Sequence, residues 1–199
     1  VVSKWVRYPV VCIPVYSTIG EPQFIPPLGK RNRRMIVFGT PRRRKKVYQE
    51  SIQELIESCH NLGIQEIVDI GRSRDGKQEV KIPDIQDLTI QVMGEQPSER
   101  ISQVMLTSWA GFIDYDLAYI GKSTIFAALC SHGVIPICSK SITSASDGLE
   151  VNKHYLVPNN YLKNLNEMQL QSISDSLYRW YSNHSLEKTV EIYTSLLRK

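Results

Sequence analysis

Residues 111–138, with the sequence GFIDYDLAYIGKSTIFAALCSHGVIPIC, contain a strand-like run, a helix-like run and a second strand-like run. The run at 111–114 has strand length, and the run at 134–138 is apolar throughout. Between them, residues 123–130 are apolar on nearly all sides, and Gly133 is a typical residue after a helix end. A strand, a helix and a strand in this order predict a βαβ unit with two parallel strands.

The same alternation extends from residue 34 to the C-terminal region. Strands that are apolar throughout are typical of a parallel sheet covered on both faces. We therefore predict an α/β fold: a Rossmann-like parallel sheet with helices on both faces, right-handed crossovers and a C-terminal helical segment. The other predicted strands are 35–38, 67–71, 88–94 and a short one at 155–157. The predicted helices are 47–62, 98–108, 123–130, 166–181 and 185–197, and 72–81 is a predicted loop.

Residues 1–30 differ from the rest of the chain. An apolar stretch at 10–15 precedes a segment rich in proline and glycine at 20–29, a composition typical of a connector between domains. We predict that 1–30 form this connector and the end of an N-terminal domain, and that 31–199 form one α/β domain. The chain begins with Val1 and not with methionine, as expected for a fragment of a longer protein.

The apolar content and the cysteines indicate a cytoplasmic protein. No apolar run reaches the roughly 18 residues of a membrane-spanning helix, and the sequence begins without a signal-peptide pattern. The cysteines form no CxxC pair and the histidines are scattered, so we expect buried thiols in a reducing compartment and no metal site. The cysteines are Cys12, Cys59, Cys130 and Cys138.

Nine lysine and arginine residues lie between Lys30 and Lys46 with no acidic residue among them, whereas the rest of the chain is net acidic. Such a cluster favours an anionic partner. Cations at a helix N-terminus oppose the helix dipole, so a basic helix start at 42–46 predicts a bound diphosphate or an anionic membrane surface. Nucleic acid is not expected, because no aromatic residues interleave with the run and no RNA-binding signature is present.

The carboxyl ends of parallel strands are where such a sheet binds ligands. Gly39, Gly71 and Gly94 each follow a predicted strand and permit close approach of the backbone. Past the fourth strand, Gly121-Lys122-Ser123-Thr124 opens a helix, and its backbone amides, hydroxyls and lysine predict a phosphate site. The alternative is an ordinary Ser/Thr helix cap beside a surface lysine.

The helix start at 121–124 also resembles the end of the P-loop of NTPases, GxxxxGKS or GxxxxGKT. The first glycine of that motif falls on Asp116, whose carboxylate would face the phosphates, so a P-loop NTPase is disfavoured. Glu95 and Asp116 follow strand ends and are the better carboxylate candidates for a ligand site. His132 is expected to interact with the dipole at the C-terminal end of its helix.

Together these segments resemble the C-terminal, nucleotide-sugar-binding domain of GT-B glycosyltransferases, especially the group-1, retaining kind, over about 13–197. In that family an Ile-Pro linker, as at 13–15, leads into the domain. A strand ending in glycine, followed by basic residues that hold the donor diphosphate, is similar to Gly39 with 42–46. A later strand ending in glycine, with a loop that contacts the base, is similar to Gly94 with Glu95.

The next block of the family also resembles this chain but lacks its acidic pair. A glycine-containing helix start, a helix of small residues and an apolar strand with proline match 120–138. Two glutamates eight positions apart are usual there, and the matching positions are Ile120 and Ala128. Thr40 replaces the arginine that usually follows the first glycine, whereas Lys45 stands where a basic residue is expected. This pattern suits a divergent member or one that has lost transferase activity.

The resemblance implies the donor-binding domain of a glycosyltransferase that transfers a hexose from UDP- or GDP-sugar to an unidentified acceptor. It assigns no catalytic residue and no cofactor. The N-terminal domain would supply the acceptor site, so the fragment alone is expected to be inactive. A non-enzymatic nucleotide-binding or regulatory module is the alternative. The expected ligand-binding residues are Gly39, Arg43, Arg44, Lys45, Gly94, Glu95, Gly121, Lys122, Ser123 and Thr124.

Overall fold

A five-stranded parallel sheet forms the centre of the protein in the computed structural model, which describes residues 13, 15–75, 78–139, 145 and 147–198. The strands are β1 (Asn32–Phe38), β2 (Glu66–Ile70), β3 (Arg74–Asp75), β4 (Gln78–Glu79), β5 (Thr89–Gly94), β6 (Ser108–Ile113) and β7 (Ile135–Cys138). The sheet has the order β5-β2-β1-β6-β7, and every neighbouring pair is parallel. The predicted α/β fold with a Rossmann-like sheet is confirmed.

Helices cover both faces of this sheet. Those of the described residues are α1 (Pro41–Gln49), α2 (Ile52–Asn61), α3 (Ser98–Leu106), α4 (Thr124–Ser131), α5 (Glu167–Tyr181) and α6 (Leu186–Leu197). Met35 and Val37 of β1 pack in a core with α1 and α2, whereas Ile36 packs in a second core with α3 and α4. All three side chains are at most 1% exposed, as expected for a strand whose two faces are both covered.

The first predicted helix is wrong in its bounds. Residues 47–62 do not form one helix, because the chain breaks at Glu50 and Ser51 between α1 and α2. The Ser51 hydroxyl donates a hydrogen bond to the Asp114 carboxylate (2.6 Å) at the end of β6. Helical spacing of apolar residues carries no information about this tertiary contact, so the sequence pattern runs through the break. The helix instead begins earlier, with Pro41 in its first turn, where proline is tolerated.

Two further elements differ in type from the sequence prediction, and β6 begins at Ser108, within the predicted helix 98–108. The predicted loop at 72–81 contains β3 and β4, which pair with each other in antiparallel fashion. The predicted short strand at 155–157 is reduced to isolated bridges, one of which joins Leu156 to Ile137 of β7. Both elements are too short to carry the two-residue periodicity that identifies a strand from sequence.

The basic run is not one surface patch, because β1 separates its two halves. Arg31 is 7% exposed and donates to the carbonyl oxygens of His132 and Gly133 (both 3.1 Å). Arg34 forms an ion pair with Glu66 (2.9 Å). The second half of the run, at 42–46, lies in α1 beyond the other end of the strand. A charge cluster in sequence therefore becomes two separate groups in space.

The connector packs against the C-terminal helices. The Ser17 amide donates to the Tyr181 hydroxyl (2.7 Å), and the Glu21 carboxylate accepts from the Leu186 amide (2.9 Å). The Trp109 indole donates to the Leu28 carbonyl oxygen (2.9 Å). Residues 1–12 and 14, with most of the apolar stretch at 10–15, lie outside the described residues. The domain boundary at residue 30 therefore stays a prediction.

The cysteines within the described residues are buried, as expected. Cys59, Cys130 and Cys138 are each 0% exposed, and burial raises the pKa of all three thiols; Cys12 lies outside the described residues. Within the part of the chain that the structure describes, none of the helices has the length and apolar character needed to cross a bilayer. The cytoplasmic location and the contact with a membrane surface stay predictions.

His132 occupies the expected helix end and contacts a carbonyl group of its last turn, as predicted, but it does so as an uncharged ring. It caps α4 and is 0% exposed, with Nδ1 donating to the Ala128 carbonyl oxygen and Nε2 accepting from the Ser102 hydroxyl, both at 2.8 Å. Burial lowers the pKa of the ring from 6.5 to about 4, against the opposing effect of the Ala128 hydrogen bond. The ring is therefore uncharged near neutral pH, so it does not act as a cation at the helix end.

We expect His132 to make the fold sensitive to acid. Its pKa is about 4 in the folded chain and 6.5 without the fold, so between these values the unfolded chain binds more protons. The free energy of unfolding should therefore fall, by on the order of 3 kcal/mol, as the pH is lowered from 6.5 to 4. Urea unfolding at a series of pH values measures this, and His132→Gln should flatten the profile. The exposed His60 is the control. An equal flattening of the pH profile by His60→Gln would contradict the conclusion that His132 causes the acid sensitivity.

Candidate functional site

The central cavity of the protein lies at the carboxyl ends of the strands, where the direction of chain progression changes. The chain moves outward from β1 to β2 and β5 on one side, and from β6 to β7 on the other, so β1 and β6 enclose the switch point. Open α/β sheets bind ligands at this position. The cavity there has a volume of about 490 Å³. Its polar lining residues are Thr18, Thr40, Arg43, Arg72, Glu95, Gln96, Tyr115, Lys122, Ser123 and Thr124.

Two of the strand-end glycines form a close backbone contact in the wall of the cavity. Gly39 and Gly71 line the cavity with φ angles of +136° and +141°, a region that other residues rarely adopt. A Cβ atom on Gly71 would clash with the Gly39 carbonyl oxygen, which is backbone and cannot move aside. Gly94 also has a positive φ, of +69°, but has open space where a Cβ would lie, and it does not line the cavity.

We expect Gly71→Ala to lower the free energy of unfolding by about 2–4 kcal/mol, because it adds both backbone strain and a clash with the Gly39 carbonyl. Gly94→Ala is the matched control: its φ is also positive but no atom lies near, so its cost should be about 1–2 kcal/mol. Urea denaturation of the two variants measures the difference. Equal losses would show that the two glycine backbones can move apart without cost.

Beside Arg72, which is paired with Glu95, two further cations from separate elements line the cavity. The Arg43 guanidinium, on α1, lies 4.3 Å from the centre of the Tyr115 ring, and both residues line the wall. Lys122 lies before α4, with its Nζ 5.8 Å from the centre of the exposed Tyr119 ring. Cation–π contacts of this kind restrain a side chain and leave its charge available to an anion. These two predicted residues are brought together as expected.

The helix start at 121–124 is built differently from the prediction. Gly121 and Lys122 belong to a 3-10 helix, Leu117–Lys122, and α4 begins only at Thr124. Ser123 caps α4, its hydroxyl accepting from the Phe126 amide (3.2 Å), and lines the cavity together with Thr124. Asp116 caps the 3-10 helix in the same way, through the Ala118 amide (3.0 Å). Lys122, Ser123 and Thr124 therefore line the cavity, whereas Gly121 does not.

Arg44 is not available to a ligand, contrary to the expectation from sequence. It is 1% exposed, and its Nε donates to the Asp69 carboxylate on β2 (2.9 Å), with Nη2 in a second, shorter contact to the same group. The Tyr48 hydroxyl donates to the same carboxylate (2.9 Å), and Arg44 Nη1 donates to the Arg72 carbonyl oxygen (2.5 Å). Arg44 therefore fixes the loop after β2 and does not face a diphosphate. Lys45 and Gly94 also lie outside the lining.

The buried network of Arg44, Asp69 and Tyr48 was missed from sequence, although a signal for it was present. A carboxylate inside the apolar strand Ile67-Val68-Asp69-Ile70 needs a buried partner, and an adjacent basic helix supplies one. Asp69 is 0% exposed. Burial, followed by the charge of Asp69, raises the pKa of the Tyr48 hydroxyl. Tyr48 therefore stays protonated and donates to the carboxylate.

We expect Asp69→Asn to lower the free energy of unfolding by about 3–5 kcal/mol, because it leaves the Arg44 charge buried without a counter-charge. The matched control is Glu95→Gln, which breaks the ion pair of Glu95 with Arg72 (2.8 Å), both exposed by more than 60%. That pair is screened by solvent, so its loss should change the free energy of unfolding far less than Asp69→Asn does. Thermal and urea unfolding compare the two variants. If Asp69→Asn lowers the free energy of unfolding no more than Glu95→Gln does, the stabilising role of the buried pair of Arg44 and Asp69 is contradicted.

Glu95 is the only carboxylate among the described residues that line the cavity. The hydrogen bond from Arg72 lowers the pKa of Glu95, so the carboxylate is charged and paired. The two positions that match the glutamates of the resemblance, Ile120 and Ala128, are both 0% exposed in the core. The lining thus offers fixed positive charge and hydroxyl groups.

Comparison with known proteins gives the fold. The sequence matches no protein-family model and no curated protein. Among solved structures, an alpha-glucosyltransferase in complex with UDP-glucose and DNA containing an abasic site has a TM-score of 0.64 at 11% identity, over 99% of this chain and 61% of that chain. A glycosyltransferase involved in avilamycin A biosynthesis has a TM-score of 0.51 at 13% identity, over 84% and 51%.

A third solved structure agrees with these two. The UDP-forming alpha,alpha-trehalose-phosphate synthase from Burkholderia vietnamiensis has a TM-score of 0.55 at 14% identity, over 86% of this chain and 43% of that chain. The chain thus spans about half the length of the structures it matches. At these identities the likeness concerns the fold alone. The chain has the α/β fold found in GT-B glycosyltransferases, as the sequence resemblance implied.

Proposed function

We propose that this chain is the donor-binding domain of a glycosyltransferase and that its central cavity holds the diphosphate of UDP- or GDP-sugar. One observation carries the proposal: Arg43 from α1 and Lys122 before α4 line the same cavity at the switch point of the sheet. The diphosphate of a nucleotide sugar carries two negative charges, and Arg43 and Lys122 supply two cations beside the ion pair of Arg72 with Glu95. The shared fold with glycosyltransferases that are solved with UDP or UDP-glucose supports this ligand class.

The ends of two helices add to this charge. Thr40, at the N-cap of α1, makes no side-chain hydrogen bond to the helix within the described structure, and Pro41 follows it. The first turn of α1 therefore keeps an uncapped end at the cavity, where Thr40 and Pro41 are lining residues. Thr124, in the first turn of α4, supplies a hydroxyl in the same wall. Fixed cations and helix ends of this kind stabilise negative charge.

The same groups suit the chemistry of sugar transfer. When the bond between the sugar carbon and the diphosphate oxygen breaks, negative charge develops on the leaving diphosphate, while the acceptor hydroxyl oxygen bonds to that carbon and the proton it loses leaves with the diphosphate. Preorganised positive charge at the leaving group lowers the barrier of such a step. The acceptor and the groups that act on it are proposed to lie on the rest of the full-length protein, so this chain alone is proposed to bind the donor without turnover.

Calorimetric titration of the chain with UDP, UDP-glucose, GDP and GDP-mannose tests the proposal. We expect binding by one nucleotide pair, and a loss of about tenfold or more in Arg43→Ala and in Lys122→Ala, since each removes a charged hydrogen-bond donor. The matched control is Arg42→Ala, because Arg42 is exposed in the same basic run and does not line the cavity.

The outcomes separate the alternatives clearly. No heat from any of the four nucleotides, or an equal loss in the Arg42 variant, contradicts the phosphate site. Nucleotide binding together with a full-length protein that turns over no donor favours the non-enzymatic nucleotide-binding module instead.

A further inference from the structure

The exposed ion pair of Arg72 with Glu95 lies in the wall of the cavity and joins two of its loops. Arg72 follows β2 and Glu95 follows β5, and both residues line the cavity together with Arg43 and Lys122. Arg72 Nε donates to Oε2 of Glu95, and Nη2 contacts Oε1, each at 2.8 Å. Two parallel contacts of this kind use one whole edge of the guanidinium. One of the three cations in the described lining is therefore neutralised by the protein itself.

A phosphate group binds the same edge of a guanidinium that a carboxylate binds. Arginine presents a planar fork of N–H donors, and its geometry matches both anions, each of which accepts two parallel hydrogen bonds. Arg72 thus carries the donor edge that the proposed diphosphate ligand would use, and in this structure Glu95 occupies that edge. A diphosphate can bind to this edge only if it displaces the carboxylate.

Both side chains of this pair are exposed enough to exchange partners. The side chain of Arg72 is 64% exposed and that of Glu95 is 62% exposed. Solvent screens the attraction within such a pair, so its separation costs little free energy. The pair of Arg44 with Asp69 is the contrast, because its side chains are buried and its separation would leave an uncompensated charge in the core. Of these two arginines, only Arg72 can therefore release its carboxylate to another anion.

The backbone on each side of the pair is held by contacts of its own. The Gly71 amide donates to the Gly94 carbonyl oxygen (2.8 Å), so the residues directly before Arg72 and Glu95 are joined by a main-chain hydrogen bond. The Arg72 carbonyl oxygen accepts from Arg44 Nη1 (2.5 Å). The two loops therefore keep their places when the side chains of Arg72 and Glu95 separate, and Arg72 stays in the cavity wall.

We propose that Glu95 competes with the phosphate groups of the ligand for Arg72 and thereby limits the affinity of the cavity; this rests on the proposed nucleotide-diphosphate site. When the diphosphate binds, Arg72 exchanges the Glu95 carboxylate for phosphate oxygens, and the carboxylate turns to solvent. Because one ion pair breaks for each that forms, Arg72 adds little net affinity. The cavity therefore holds a nucleotide less tightly than the same three cations would without the carboxylate.

Calorimetric titration with inorganic pyrophosphate, UDP and GDP, in buffer without divalent cations, tests the competition. Glu95→Gln keeps the size of the side chain and removes its charge. This variant should bind pyrophosphate, and the nucleoside diphosphate that the wild type binds, about three- to tenfold more tightly, because the phosphate no longer displaces a charged partner. The matched control is Glu191→Gln, which removes the same charge from an exposed pair with Lys188 (2.8 Å) outside the cavity lining, and should leave Kd unchanged.

A second substitution shows whether Arg72 is the group for which Glu95 competes. Arg72→Ala combined with Glu95→Gln should bind pyrophosphate no more tightly than the wild type, because the cation that the phosphate would gain is absent. If the tighter binding of Glu95→Gln persists without Arg72, the carboxylate acts by general repulsion of anions, and the competition for Arg72 is refuted.

The other outcomes separate this proposal from the nucleotide site on which it rests. If UDP or GDP binds to the wild type, and Glu95→Gln binds it equally or more weakly, the competition is refuted and the nucleotide site stands. If neither pyrophosphate nor any of the nucleotides binds to the wild type or to Glu95→Gln, the nucleotide site itself fails and the role of Glu95 fails with it.

Discussion

The buried contact between Arg44 and Asp69 holds together the parts of the protein that form the cavity. Asp69 lies on β2 and Arg44 on α1, and Arg44 also donates to the carbonyl oxygen of Arg72. One guanidinium therefore fixes the helix after β1 and the loop after β2. Gly71 lies against this group, since a Cβ there would be 3.0 Å from Arg44 Nη1. The position of Arg43, the next residue of α1, follows from that anchorage.

This contact also shows which features of the site follow from sequence and which do not. The apolar runs around Met35, Ile67 and Ile135 identify three strands correctly, because a strand buried on both faces needs apolar residues at every position. The basic helix after β1 is equally visible. The orientation of this helix cannot be seen in the sequence. Arg43 and Arg44 are neighbours in one basic run, yet Arg43 lines the cavity and Arg44 is buried. Only the tertiary partner Asp69 distinguishes them.

The remaining differences between the sequence prediction and the structure also arise from contacts between distant parts of the chain. The break at Ser51 depends on Asp114, which is 63 residues away, and Glu95 is paired with Arg72, which is 23 residues away. Neither contact leaves a local pattern, because the residues involved are ordinary polar residues at separate places in the chain. The glycines at positions 39, 71 and 94 were visible as strand ends. Their different surroundings, crowded at Gly71 and open at Gly94, depend on packing that the sequence does not encode locally.

The central position of β1 has a consequence for how the chain folds during synthesis. β1 pairs with β2 on one edge, but its other partner, β6, begins only at residue 108, and β7 follows at residue 135. Parallel pairing between segments so far apart is slow, and domains fold as units once their residues are available. A ribosome that has completed only the first half of the domain therefore exposes one open edge of an apolar strand. We expect this edge to be prone to association with other chains until β6 emerges and pairs with it.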